Sequence, residues 1–298
     1  MMDPSNDPGY VTITFDPIKG LESIRASLLG ILLKWWDTHK TKWNDIDAIT
    51  QCMMQMVLFK IRSLQEAMKG LPLVPNGQKQ TIYLDLSNMA SITRGIYESA
   101  FIYHNIFIST DNEDERQVLI NIWKIEGYNN RKKVSVPEGM EEVASQNINT
   151  IESLRNATRE ILSRMDVVES AKIKIEKIIK RDSSNIKGYH FVKSGNRIID
   201  FEPIDFTNSR SIFEYDYMDG TYSYLSSQSH PSFLSLLQFG QLTGKEHFAD
   251  MVRPFLMAAC FCATKFANDA CKVLTDGESI KKQVEPNILA TINFFKNI

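Results

Sequence analysis

Arg94 and Glu98 stand four residues apart in DLSNMASITRGIYESAFIYHNIFI, residues Asp85 to Ile108. On a helix that spacing places a guanidinium and a carboxylate on one face. The surrounding residues leave the helix almost no polar side, and a helix apolar all round must be buried on every side. A charge in a core is costly unless it is paired and hydrogen-bonded. The spacing therefore predicts a buried Arg94–Glu98 pair, and the pair is the first candidate site. A second stretch, TYSYLSSQSHPSF from Thr221 to Phe233, repeats Tyr222, Ser226 and His230 every four residues. One helix would align them as a polar stripe, and Pro231 biases His230 away from continuing that helix. The imidazole is then expected at a helix C-terminus, where the dipole favours the protonated ring. A histidine so placed suits a proton donor or phosphate contact; the plainer role is a cap on the last carbonyls.

These residues define the candidate chemistry. As a catalytic set, His230 would be the general acid or base, Arg94 would stabilise charge on a phosphorane, and Glu98 would orient Arg94. Tyr222, Ser226, Ser229 and Ser232 would contact the ligand. The serines beside His230 do not make a hydrolase, because a nucleophile and its base usually come from distant segments. Only Glu98, Asp216 and His230 are candidate metal ligands, without ligand spacing, so no metal and no other cofactor is expected. GxSxG, Walker A and GxGxxG motifs are absent from the sequence. Cys52, Cys260, Cys262 and Cys271 also lack metal-ligand spacing. Three of them lie in an apolar segment, where cysteine behaves as a small core residue, in keeping with a reducing cytoplasm.

Composition bounds the class. A chain of 298 residues with 43% hydrophobic and 23% charged residues can bury a substantial core. A net charge of -2 provides no global basic excess for nucleic acid. The N-terminal MMDPSNDPGY lacks the cationic region of a signal peptide, and the longest apolar runs are too short to span a bilayer. A cytoplasmic protein without a membrane segment is the expectation.

The elements that must position the site read as helices almost throughout. Residues 1–20 read as a tail with a short extended piece at VTITF, and residues 21–298 as one helical domain. Helical spacing of apolar residues marks Leu21 to Thr38, then a helix capped by Asn44 or Asp45 and running to Lys69. GLPLVPNGQ reads as a loop. After the central helix, Thr110 or Asp111 opens another, with Glu113, Asp114 and Glu115 where the dipole favours acids. NNRKK reads as a loop, Pro137 starts a helix to about Met165, and Asp166 caps the next. There Lys172, Lys174, Lys177 and Lys180 read as a solvated face around Val168, Ala171, Ile175, Ile178 and Ile179, with a phosphate-binding face as the alternative. YHFVK and RIIDF, joined by Ser194-Gly195-Asn196, form a β-hairpin within 187–205. Helices are then expected from Thr207 or Asn208 toward His230, over Glu246 to Leu274, and from Pro286 to the end. The fold class is all-α: a bundle-like single domain with a small β-hairpin excursion.

The helix bearing R-x3-E (Arg94 to Glu98), paired with Y-x2-L-S-x3-H-P-S (Tyr222 to Ser232), resembles a group of bacterial all-helical domains of unknown function. In that group an R-x2-[LY]-[EY]-E-like helix and a Y-x2-LS-x3-H segment recur. The resemblance covers the middle and C-terminal half of the chain. It implies an intracellular helical domain, set beside the HEPN-like helical ribonucleases of toxin and phage-defence systems. The chain departs from the HEPN pattern of Arg, four to six residues, then His on one helix. Nine residues separate Arg94 from His104, and no arginine closely precedes His230.

Two functions follow. One is an interaction or scaffold protein in which Arg94, Glu98 and His230 form a buried polar network fixing helix register. The alternative is a HEPN-like ribonuclease or other phosphodiester-cleaving enzyme of a toxin or phage-defence system. The partners these readings imply are RNA, a nucleotide or a protein, a second copy of the chain included. A solvent-connected site at Arg94 favours the enzyme, and a closed network favours the scaffold.

Overall fold

The computed structural model describes residues 15–40, 43–73, 81–131, 139, 141–181, 188–213, 218–242, 248–286 and 289–296. The fold is mostly α-helical, as the periodicity predicts. Helix α1 (Pro17–Thr38) begins inside the expected tail, because Asp16 caps the amides of Ile18 and Lys19 and Pro17 occupies the first turn. Phe15 packs on Phe294 and Phe295, which ties this entry to the C-terminal end of the chain. The VTITF piece lies almost wholly outside the described residues. Helix α2 (Asp45–Ala67) is capped by Asn44, whose side chain accepts from the amide of Asp47. The stretch expected as a loop contains a strand, β1 (Leu71–Leu73), paired antiparallel with β2 (Thr81–Tyr83). Strands this short have no periodicity to read.

Helix α3 (Leu86–Phe107) is capped by Asp85, matching the central helix of the sequence. Helices α4 (Glu113–Arg131), α5 (Glu141–Arg164) and α6 (Glu169–Lys180) follow. Asn129, Asn130 and Arg131 of the expected NNRKK loop are instead the end of α4, and residues 132–138, Pro137 included, lie outside the described residues. Asp166 does not cap α6; Val168 stands at that position without a side-chain cap bond. Instead the backbone carbonyl of Asp166 accepts from Ile198, and Val167 bridges to Ile198. Ala171, Ile175 and Ile179 are buried, while Lys174, Lys177 and Lys180 are exposed. Lys174 pairs with Asp200 and Lys180 with Glu176.

The predicted hairpin is present as β3 (Tyr189–Ser194) and β4 (Arg197–Pro203), turning at Gly195 with φ 59°. The single helix expected from Thr207 to His230 is not formed. A 3-10 turn at Ser209–Ser211 comes first, and α7 (Thr221–Ser229) is short. Asp219 draws the chain into a turn by accepting from Ser209 and Arg210, and Gly220 takes φ 73° where a side chain would be strained. Helices α8 (Phe233–Leu242), α9 (Phe248–Val273), α10 (Gly277–Lys282) and α11 (Ala290–Lys296) complete the described chain. The expected terminal helix thus starts later, and α10 is an additional short one.

Helix α3 is the hub, packed against α2, α4, α7, α8, α9 and β3. Its Met89, Ile96, Tyr97, Ala100, Tyr103 and Phe107 all lie in the core. Among the described residues no helix is long and apolar enough to cross a membrane. Cys260, Cys262 and Cys271 are buried, and burial pushes all three thiols up, Cys271 to about 12. Cys52 is exposed. Only thiolates react with alkylating reagents, so iodoacetamide at mildly alkaline pH should label Cys52 in the native protein and the other three only after denaturation. Mass spectrometry of the labelled peptides checks this; native labelling of Cys260, Cys262 or Cys271 would contradict their packing.

Candidate functional site

Arg94 and Glu98 project from α3 toward α7, and the four sequence-predicted residues Arg94, Glu98, Tyr222 and His230 meet there. Arg94 Nε donates to Glu98 Oε1 at 2.9 Å, and Arg94 Nη2 donates to Tyr222 Oη at 3.0 Å. Tyr222 Oη in turn donates to Glu98 Oε1 at 3.0 Å, closing a triangle. The guanidinium also lies 5.1 Å above the Tyr222 ring, a cation–π contact. Outside the triangle, Arg94 Nη1 is 3.4 Å from His230 Nε2. A guanidinium has no acceptor, so in this contact Nε2 presents its lone pair.

The pair is mostly buried and bonded, as the sequence predicts, but it is not sealed: the Arg94 and Glu98 side chains are 26% and 31% exposed. Helix α3 does have a narrow polar seam, built from small residues that a hydropathy pattern passes over. Ser87, Ser91, Gly95 and Ser99 run along it at helical spacing, and Ser91 and Ser99 return their hydroxyls to the carbonyls of Ser87 and Gly95. Arg94 and Glu98 sit beside that seam, where α7 covers them only in part.

Aromatic packing fixes the other wall. The Tyr222 ring lies 5.5 Å from Tyr97 and 5.3 Å from Phe206, and Tyr97 Oη donates to the Phe206 carbonyl at 2.8 Å. Burial, then the charge of Glu98, pushes the Tyr222 phenol up, so it remains a neutral donor at physiological pH. Burial pulls Arg94 down, but the bonds and charge of Glu98, with Tyr222, outweigh it and raise the net value.

His230 ends α7 in an extended conformation, φ -103° and ψ 153°, as the following proline requires. Its ring is exposed and bonds Arg94 rather than the last carbonyls of the helix. Its backbone carbonyl accepts from the Ser232 amide and from Ser235 Oγ, which starts α8. The serines serve this junction. Ser229 Oγ donates to the Ser226 carbonyl; Ser232 Oγ donates to the Ser227 carbonyl and accepts from the Ser235 amide. Ser229 and Ser232 are therefore not drawn into the quartet, because local backbone groups are nearer partners for a short hydroxyl, and Ser226 takes part through its carbonyl. Asp216 lies outside the described residues, and among the described residues no three His, Cys, Asp or Glu side chains converge.

A second polar cluster escaped the sequence reading. His104, at the last turn of α3, has Nδ1 2.7 Å from Oδ2 of Asp269 on α9, and Asp269 is buried. Lys265 bonds the same carboxylate. The signal available was an aspartate placed inside the otherwise apolar run after Phe255. Comparison of the chain with protein-family models, curated proteins and solved structures finds no match in any of the three.

The partial exposure sets the energetics of the pair. Glu98→Ala removes two hydrogen bonds to a carboxylate but leaves Arg94 with water and Tyr222, so the expected loss is about 1–2 kcal/mol. That is well short of the roughly 3–5 kcal/mol of a fully buried pair. Denaturant unfolding of Glu98→Ala and of an Arg94→Met/Glu98→Leu double variant checks it; a loss in the larger range would show that the pair is desolvated after all.

Proposed function

We propose that the quartet is a phosphodiester-cleaving site acting on RNA. One observation carries the reading: an exposed imidazole lies 3.4 Å from a guanidinium whose other nitrogens are held by Glu98 and Tyr222. Arg94 Nη1 makes its weakest contact with His230, so that contact is the one a phosphate would replace. A phosphate entering there meets a preorganised cation, and charge growing on the phosphorane is stabilised without reorganising the site. The freed Nε2 of His230 takes the proton of the ribose 2′-hydroxyl, and the 2′-oxygen attacks phosphorus. The bond to the 5′-oxygen breaks, that oxygen takes a proton from water, and a 2′,3′-cyclic phosphate remains. Glu98 keeps Arg94 aimed and Tyr222 supplies the floor beneath it. The partial exposure of the quartet supports this reading over that of a closed structural network.

A second reading, an interaction protein, is favoured by α8. Phe233, Leu236 and Leu237, spaced along one face, are exposed immediately after His230. The decisive experiment is incubation of end-labelled single-stranded RNA with the protein in EDTA. Cleavage to 2′,3′-cyclic ends is expected, with His230→Ala and Arg94→Ala slower by at least about 100-fold. His230→Ala should melt like the wild type, since the ring is exposed. Intact RNA with the wild type, or unchanged cleavage by His230→Ala, would leave the interaction reading standing instead.

A further inference from the structure

Away from the quartet, α9, α10, α11 and the segment after the 3-10 turn line a solvent-open cavity of about 290 Å³. Its polar wall is unusual in two places. Thr264 is 2% exposed, yet its Oγ1 has no hydrogen-bond partner among the described residues. Ser27 and Thr158, also on helices, return theirs to the carbonyl one turn back, whereas Thr93 on α3 shares the orphaned state. Lys281 is 7% exposed, and among the described residues its ammonium donates to Asn268 Oδ1 alone, at 2.6 Å. An ammonium carries three donors and a full charge, so one neutral acceptor leaves it poorly compensated. An orphaned hydroxyl and an under-partnered buried cation on one cavity wall describe a place for an anion.

The remaining charges agree. Lys265 and Lys272 line the same cavity, and the anions there are Asp269 and Glu278. Lys265 and Lys272 lie 3.1 and 3.7 Å from Asp269, which His104 also bonds. Asp269 is thus engaged from several sides and cannot serve Lys281. The lining holds three cations against two anions. Lysine ammoniums and a hydroxyl, without an arginine fork, suit the tetrahedral oxygens of phosphate better than a planar carboxylate. The opposite wall is apolar, with Phe213, Phe261 and Phe295 facing the space. A volume near the lower end of ligand pockets, roughly 300 Å³, limits the occupant to a small molecule.

We infer that this cavity binds a small phosphate monoester, its phosphoryl group on Lys281, Thr264 and Lys272 and its organic part against the three phenylalanines. The site is independent of the quartet on α3 and α7, and its test is separate.

Titration calorimetry with phenyl phosphate and with inorganic phosphate provides that test. Phenyl phosphate should bind at least tenfold more tightly than phosphate, because only it fills the apolar end. Lys281→Met should weaken phenyl phosphate by at least tenfold and Thr264→Val by several-fold, while Arg94→Ala binds as the wild type does. Thr264→Val is isosteric and removes an unsatisfied group, so it should melt no lower than the wild type and carries the test even if Lys281→Met fails to fold. Absence of heat from phenyl phosphate at millimolar concentration would overturn the site. Unchanged affinity in Thr264→Val and Lys281→Met, or loss of binding in Arg94→Ala, would overturn it equally, and equal affinity for the two probes would overturn the monoester assignment.

Discussion

Burial of α3 on nearly every side is the constraint from which the rest of the arrangement follows. Its aromatic and aliphatic residues need partners all around, and α2, α4, α7, α8 and α9 supply them. Apolar burial is worth about 25 cal/mol per Å², so an all-round apolar helix organises its neighbours more strongly than any hydrogen bond in the structure. The one seam left free is the line of small residues beside Arg94 and Glu98. Short α7 crosses there without sealing it, and the polar quartet occupies the gap.

That geometry explains why the guanidinium is rigid and still reachable. Two side chains hold it: the carboxylate of Glu98 from its own helix, and Tyr222 from α7 through both its phenol and its aromatic face. The tyrosine is itself wedged between Tyr97 and Phe206. A long side chain normally loses its rotamer freedom only at a cost; here packing supplies the restraint before a ligand arrives. The imidazole, in contrast, is set by the extended turn before Pro231, by the hydroxyl bonds that start α8 and by its own contact with Arg94.

The polar groups of α9 illustrate a different outcome of the same packing. Inside an apolar helix, Thr264 and Asp269 must find partners from other elements. Asp269 finds His104 on α3 and, on its own helix, Lys265, whereas Thr264, whose hydroxyl has no partner among the described residues, lines the cavity that Lys281 also lines. The contrast between a satisfied and an unsatisfied group on one helix is what makes the cavity chemically distinctive.

The sequence by itself determined the helical class, the central helix to within a residue, the β3–β4 hairpin, and Arg94, Glu98, Tyr222 and His230 as residues of interest. Each rests on a local signal: periodicity, a cap, a Gly-containing turn, or a charge out of place. Tertiary structure decided the rest. Whether Arg94 and Glu98 were sealed depended on how much of α3 the short α7 covers, and α7 is short because Asp219 and Gly220 turn the chain ahead of it. The serines around His230 had equally good local and distant uses, and the nearer backbone groups won. The placing of Lys281 and Thr264 on one cavity, and the pairing of His104 with Asp269, join side chains from different helices. Separations of that kind leave no periodic trace along the chain, since only the packing of α9 against α3 and α10 brings them together.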